Sequence, residues 1–239
     1  MKARSVFLAM LALTIFSPIA VAQTNSGTTK CSGRNSSASG AYRPVGITAA
    51  SDIPYPVNAR ATGFVTLDVS VNASGNVQKI QVLRDVPPLT DTAVTAVKKW
   101  QFTAAQLNGN PVAGRLRVNA VFNPFNPGGI SIPSEAWKVV EATGGGGAGE
   151  FRPAEVTAAT YATYPVNTVV SGTVVLDVTV GKDGKVASQK VIHGVAPLTT
   201  ASIEAVTSWQ FQAAKYKGNP AASHVVVAFV FPSPALGTP

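Results

Sequence analysis

Few groups in this 239-residue chain can do chemistry: one cysteine, two histidines and eleven carboxylates. One Cys and two His cannot assemble a structural zinc site or a disulfide framework. Cys31 lies in a Ser-, Gly- and Asn-rich stretch and reads as a bystander, an intermolecular disulfide being the alternative. Acid–base catalysis needs a second carboxylate or a histidine beside the first. Asp68 and Asp177 occupy one position of a repeated pattern, and no such partner falls at a matching position. Both therefore read as solvated residues on the polar face of a strand. His193 stands where the other copy of the pattern has Arg84, and His224 where it has Arg115, which reads as surface chemistry. No Gly-x-Ser-x-Gly nucleophile elbow exists. No catalytic residue, metal or cofactor is expected, and the chain is not read as an enzyme.

The positions just compared belong to a unit written twice. Tyr55-Pro-Val-Asn58 recurs as Tyr164-Pro-Val-Asn167, Trp100-Gln-Phe102 as Trp209-Gln-Phe211, and Gly109-Asn-Pro111 as Gly218-Asn-Pro220. Every pair is offset by 109 residues, and residues 42–122 and 151–231 share 36 identities in 81 positions. That is a tandem duplication. Two copies are too few for a solenoid and read as two small domains. Residues 123–150 form a Pro/Gly-rich linker, in which Ser134–Glu141 suits a short helix carrying Trp137 and 144–149 a hinge. Residues 23–41 read as a flexible leader and 232–239 as a tail.

Lys2 and Arg4, an apolar run from Val6, and Ala20-Val21-Ala22 before Gln23 make residues 1–22 a signal peptide, an uncleaved anchor being the alternative. The expected location is the periplasm; an anchored form would face it from the inner membrane. Removing the segment lowers the net charge from +8 to +6, with +4 in copy one and +2 in copy two. On an exported protein this is a modest basic surface, and nucleic acid is not an expected partner.

Within each copy, Val65, Leu67, Val69 and Val71 alternate with polar residues, as do Val174, Leu176, Val178 and Val180. Period two means a strand with one buried face. Asn72–Gly75 and Gly181–Gly184 supply hairpin turns to second strands over 77–84 and 186–193. Helices follow over 89–100 and 198–209, with Leu89, Ala93, Val97 and Trp100 on one face and Thr90 and Thr199 as N-caps. A short extended piece starts at Phe102 or Phe211, and last strands run over 116–122 and 225–231. Leu67, Leu89, Trp100, Phe102, Leu176, Leu198, Trp209 and Phe211 form the expected cores. Tyr55-Pro56 and Tyr164-Pro165 read as helix-entry or turn elements, a partner-facing tyrosine being the alternative. The fold class is α+β: tandem β-β-α-β units, each a small antiparallel sheet covered by a helix.

That order of elements resembles the C-terminal domain of the TonB family of energy transducers. Copy one carries the resemblance in Tyr55, Pro56, Ala59, Gly63, the Val65–Val71 alternation, Gly75, Val77, Leu89, Ala96, Val97, Trp100, Phe102, Asn108, Gly109, Pro111 and Val112. Copy two matches at Tyr164, Pro165, Gly172, Gly184, Val186, Leu198, Ala205, Val206, Trp209, Phe211, Gly218 and Pro220, with Thr168 replacing Ala59. The resemblance implies an envelope module in TonB-linked transport that captures an extended receptor peptide by strand addition. An exposed sheet edge offers unpaired N–H and C=O groups to the incoming strand. The analogous edge would be the last strand, through Arg115, Leu116, Arg117, Val118 and Asn119, or Val225, Val226 and Val227, with Tyr55 and Tyr164 nearby. Arg115 and Arg117 would guard that edge or hold an acidic peptide. A structural alternative pairs the two repeats edge to edge as a pseudo-dimer, and edge strands also offer a route to self-association.

Overall fold

The computed structural model describes residues 42–56, 61–124, 151–165 and 168–233. Residues 1–41, most of the linker, Ala59 and the end of the tail, and with them the signal, Cys31 and Trp137, lie outside the described residues.

In the first repeat the elements are β1 (Tyr42–Arg43), β2 (Gly46–Ala49), β3 (Gly63–Val71), β4 (Val77–Arg84), α1 (Leu89–Val97), β5 (Gln101–Thr103), β6 (Ala105–Leu107), β7 (Asn110–Val112) and β8 (Gly114–Phe122). In the second they are β9 (Phe151–Arg152), β10 (Glu155–Ala158), β11 (Gly172–Val180), β12 (Val186–His193), α2 (Leu198–Thr207), β13 (Gln210–Gln212), β14 (Ala214–Tyr216), β15 (Asn219–Ala221) and β16 (Ser223–Phe231). The second strands start and stop where their alternation and flanking turns place them. The β3–β4 turn is closed by Asn72, whose Oδ1 accepts from the N–H groups of Ser74 and Asn76, both at 2.9 Å. Gly75 follows at φ 85°, and a Cβ there would lie 2.6 Å from the Phe102 carbonyl oxygen. Only glycine fits such a turn docked on backbone.

Both helices are shorter than their apolar spacing suggests. Trp100 and Trp209 lie beyond the helix ends, yet they remain in the core. Each indole N–H donates at 3.0 Å to a carbonyl 49 residues earlier, Ser51 for Trp100 and Thr160 for Trp209. Thr90 and Thr199 are not N-caps. The helices start at Leu89 and Leu198, so each threonine is already inside the first turn. Its hydroxyl instead accepts from the backbone N–H of Val86 (2.8 Å) or Val195 (2.9 Å), closing the loop behind the helix.

The long strands form one six-stranded sheet in the order β12-β11-β16-β8-β3-β4. Each repeat supplies three antiparallel strands, and β8 and β16 join them in parallel. Arg117 lies beside Val225, Val118 beside Val226 and Ala120 beside Ala228, an offset of 108 residues. The duplication itself is offset by 109. Side chains alternate faces with period two, so a shift of one residue turns equivalent positions to opposite faces. Val118, Ala120 and Phe122 share the α1 core with Val226, Ala228 and Val230; Val225, Val227 and Phe229 share the α2 core with Val121. The repeats are thus related by roughly a half-turn about an axis along the central strands, with α1 on one face and α2 on the other.

Each core borrows residues from the other repeat. Phe64 and Val121 of the first repeat complete the core under α2, and Val175, Val226, Ala228 and Val230 of the second complete the core under α1. Small sheets β1-β6-β7 and β15-β14-β9 lie at the end where β8 and β16 begin. There Tyr42 stacks on Tyr216 with ring centroids 4.9 Å apart and meets Phe151, its own counterpart, at 4.7 Å.

Gly114 is buried in that region, and a Cβ on it would lie 2.6 Å from Ala105 Cβ and 2.7 Å from Val45 Cγ2. The second repeat has Ser223 at this position and Ala154 in place of Val45. Gly114→Ala is expected to destabilise the chain by about 1–3 kcal/mol through overpacking. The loss should shrink in a Val45→Ala background. Denaturant midpoints for the four variants of this cycle measure both effects.

Candidate functional site

The last strands, where the resemblance places peptide capture, are the two central strands of the sheet. β8 bonds to β3 on one side and β16 on the other, and β16 bonds to β11 and β8. The backbone at Arg115, Leu116, Arg117, Val118 and Asn119, and at Val225, Val226 and Val227, is therefore interior to the ladder rather than on an edge. Seven of these eight residues are buried and Arg115 is nearly so. The reason is the parallel junction itself, which consumes the one free side that each terminal strand would have. The free edges of the described sheet are β4 and β12.

The two arginines neither guard an edge nor stand open to a peptide. Arg115 donates from Nε (3.0 Å) and Nη2 (2.5 Å) to the two oxygens of Asp68. Arg117 donates from Nη1 to Asp68 at 3.0 Å and from Nη2 to Glu155 at 2.9 Å. Asp68 is 2% exposed and Arg117 4%. Asp68 is thus not a solvated residue. The polar face of β3 is covered by Arg115, Arg117 and Asn119 of β8, and its carboxylate is satisfied by two guanidinium groups. Breaking such a buried pair leaves an uncompensated charge, which costs more than the pair contributes. Its counterpart Asp177 is also buried and shares a 2.9 Å hydrogen bond with His224 Nδ1. Val226 takes the place of Arg117 there, so the second copy builds a smaller polar group.

Further polar contacts tie the repeats together. Ile53 N–H donates to Thr173 Oγ1 at 2.9 Å, and the same hydroxyl donates to the Ile53 carbonyl at 3.1 Å. Asp52 accepts from the Thr173 N–H at 3.1 Å and meets His193 Nε2 at 3.2 Å. Asn123 donates its N–H to the Val230 carbonyl at 2.9 Å and accepts from the Ala162 N–H at 3.2 Å. Asp52, Glu155 and Asn123 escape sequence reasoning because each has a different residue in the other copy. A carboxylate present in one repeat only is the signal that could have marked Asp52 and Glu155.

Tyr55 and Tyr164 use their hydroxyls internally. Each donates to a carbonyl six residues on, Ala61 for Tyr55 and Val170 for Tyr164, and each ring packs edge-on against the last phenylalanine of its repeat, Phe122 or Phe231. They therefore brace the loop before β3 and β11. Burial raises the phenol pKa of Tyr55, Tyr161 and Tyr164. Tyr42 goes furthest, pushed up to about 12 by burial and then by the neighbouring Tyr216. Among the described residues no group of three or more His, Cys, Asp or Glu is placed to hold a metal ion, and no helix is long and apolar enough to cross a membrane.

Fold and site together define a duplicated α+β module whose halves are joined by a parallel strand pair and by buried polar contacts such as Arg117 with Glu155 and Ile53 with Thr173. The family described as "Gram-negative bacterial TonB protein C-terminal" matches it twice, over residues 52–124 and 160–232. The chain belongs to this TonB C-terminal family. A 71-residue stretch is 38% identical to Protein TonB of Xanthomonas campestris pv. campestris strain B100, covering 29% of this chain and 32% of that protein. Protein TonB of a second strain of the same pathovar matches with the same 38% identity over 71 residues. The chain thus spans about a third of the length of these curated relatives, 32% in each case. No solved structure matches the chain significantly.

The tyrosines set an alkaline limit. The folded Tyr42 phenol holds its proton up to about pH 12, whereas an unfolded tyrosine loses it near 10. Between these values the folded state binds more protons, so stability present below pH 10 falls as pH rises. Tyr42→Phe is expected to flatten the decline by less than one proton's worth, because the ring is partly exposed. Unfolding free energies measured from pH 9 to 12 check the sign and the slope.

Proposed function

We propose that this chain is an exported envelope protein of TonB-linked transport that acts as an internally paired tandem. One observation carries this reading: β8 and β16 pair in parallel, so each repeat occupies the terminal strand of the other. In the single-repeat reading, capture of an extended receptor peptide at residues 115–119 or 225–227 needs one side of those strands free. In the paired tandem a peptide would have to displace a neighbouring strand together with the core residues it carries. The structural pseudo-dimer is therefore favoured over strand capture. Contacts with an envelope partner then fall on side chains of the outer surface. Self-association through β4 or β12 is disfavoured. Each is interrupted by two bulges opposite its partner strand, and each carries an exposed lysine, Lys79 or Lys190. Both devices discourage strand addition.

Hydrogen exchange separates the two readings. In the free chain the amides of β8 and β16 should be the slowest to exchange, and adding a synthetic Glu-rich extended peptide should leave them unchanged. Fast exchange in one terminal strand, slowed by the peptide, would restore the capture reading. The export proposal is checked on protein purified from its native envelope. The mature chain is expected to begin at Gln23, and a chain that retains residues 1–22 would instead mark an anchored protein.

A further inference from the structure

We infer that the end of the sheet where β8 and β16 begin is a docking surface for an anionic phospholipid bilayer. The inference rests on the envelope placement proposed above. The register brings four turns to this end. β3 runs into the Asn72–Gly75 turn opposite the start of β8, and β11 runs into Gly181–Gly184 opposite the start of β16. The β6–β7 and β14–β15 hairpins enter the same strands from the other direction. Because β8 and β16 are parallel, all four turns lie at one end.

The charges at these turns differ between the copies by four added lysines against one added exposed acid, Asp183 in place of Ser74. Lys182, Lys185, Lys215 and Lys217 occupy positions where the first repeat has Ala73, Asn76, Gln106 and Asn108. All four lysines are exposed. With Arg152 they are five of the six cations in the second repeat, Lys190 being the sixth. Elsewhere the second repeat carries fewer cations: Thr207, Ser208, His224 and Val226 stand where the first has Lys98, Lys99, Arg115 and Arg117. Lysines kept for solubility alone would not gather at one end while the rest of the repeat carries only Lys190. The opposing acids there are few. Glu155 is bonded to Arg117 and Asp177 to His224, which leaves Asp183 as the exposed carboxylate of these turns.

The arrangement fits a broad, flat anionic surface better than a peptide. The lysines sit on the tips and flanks of separate turns, interleaved with Gly181, Gly184 and Gly218, which carry no side chain. Lys217 Nζ lies 5.7 Å from the ring centroid of Tyr216, an aromatic–cation pair suited to the headgroup level. Juxtamembrane lysines gain about 1 kcal/mol each near an anionic leaflet, roughly fivefold in affinity per charge. Four act together only if they reach the surface at once, which the shared end of the sheet allows.

The test is sedimentation of the full chain with vesicles of phosphatidylcholine alone and of phosphatidylcholine containing phosphatidylglycerol. Binding is expected only to the second, with loss in high salt. The Lys182→Gln, Lys185→Gln, Lys215→Gln, Lys217→Gln variant should bind about a hundredfold or more weaker. A control with Lys98→Gln, Lys99→Gln and Lys190→Gln should lose much less. Equal loss in the two variants, or no preference for phosphatidylglycerol, overturns the surface. Binding to soluble polyglutamate without vesicle binding assigns it to an acidic polypeptide and overturns the lipid. Circular dichroism confirms that the variants are folded. Cell fractionation placing the protein outside the envelope would sink the proposed function and leave the vesicle result intact.

Discussion

The parallel pairing of β8 with β16 is the constraint from which the rest follows. Its register is one residue short of the duplication offset, 108 against 109. With a side-chain period of two, that single residue sends equivalent positions to opposite faces. Helix α1 and helix α2 must then lie on opposite sides of a common sheet. Strands buried on both faces are what a parallel junction demands. In β8 and β16 only Arg115 and His224 fall short of full burial. Neither core is complete without the other repeat, so the two units described by the family match form one folding body at their junction.

Much of the secondary structure was legible. The alternation at Val65–Val71 and Val174–Val180, the glycine turns and the limits of β4 and β12 follow from local chemistry, and local chemistry is the same in both copies. The junction is not local. The Thr66, Asp68 and Ser70 face of β3 reads as solvent-facing because its cover is non-local: Arg115, Arg117 and Asn119 of β8 lie on it, and Glu155 of the second repeat bonds Arg117. One local signal pointed there. Val225–Phe231 is an unbroken apolar run, which a strand with one wet face would not carry. Leu116–Phe122 hides the same fact behind Arg117 and Asn119, whose polarity suggests water. Both are buried, Arg117 against Asp68 and Glu155, and Asn119 against Thr66 Oγ1 at 3.2 Å.

The polar groups at the junction give a physical reason for some of the differences between the two copies. Two identical apolar strands offer several registers of similar energy. A buried guanidinium tolerates one arrangement, because a slip would strand its charge among valines. Arg117 in β8 opposite Val225 in β16 therefore distinguishes the halves. Glu155, present in the second repeat only, completes the distinction. Asp52 with Thr173 and Asn123 with Ala162 repeat the logic at the far end of the sheet, each using a residue without a twin. Divergence at these positions helps two repeats that share 36 of 81 residues to meet in a single pseudo-twofold register.

The same junction decides what kind of surface the protein can present. A single three-stranded unit of this type exposes two edges, one at the second strand and one at the last. Joining two units at their last strands leaves only the second strands outside, and these are the ones interrupted by bulges and bearing Lys79 and Lys190. Backbone pairing is thereby closed at the centre and discouraged at the rim. What remains available is side-chain chemistry, including the four exposed lysines that the second copy alone carries at or beside its turns.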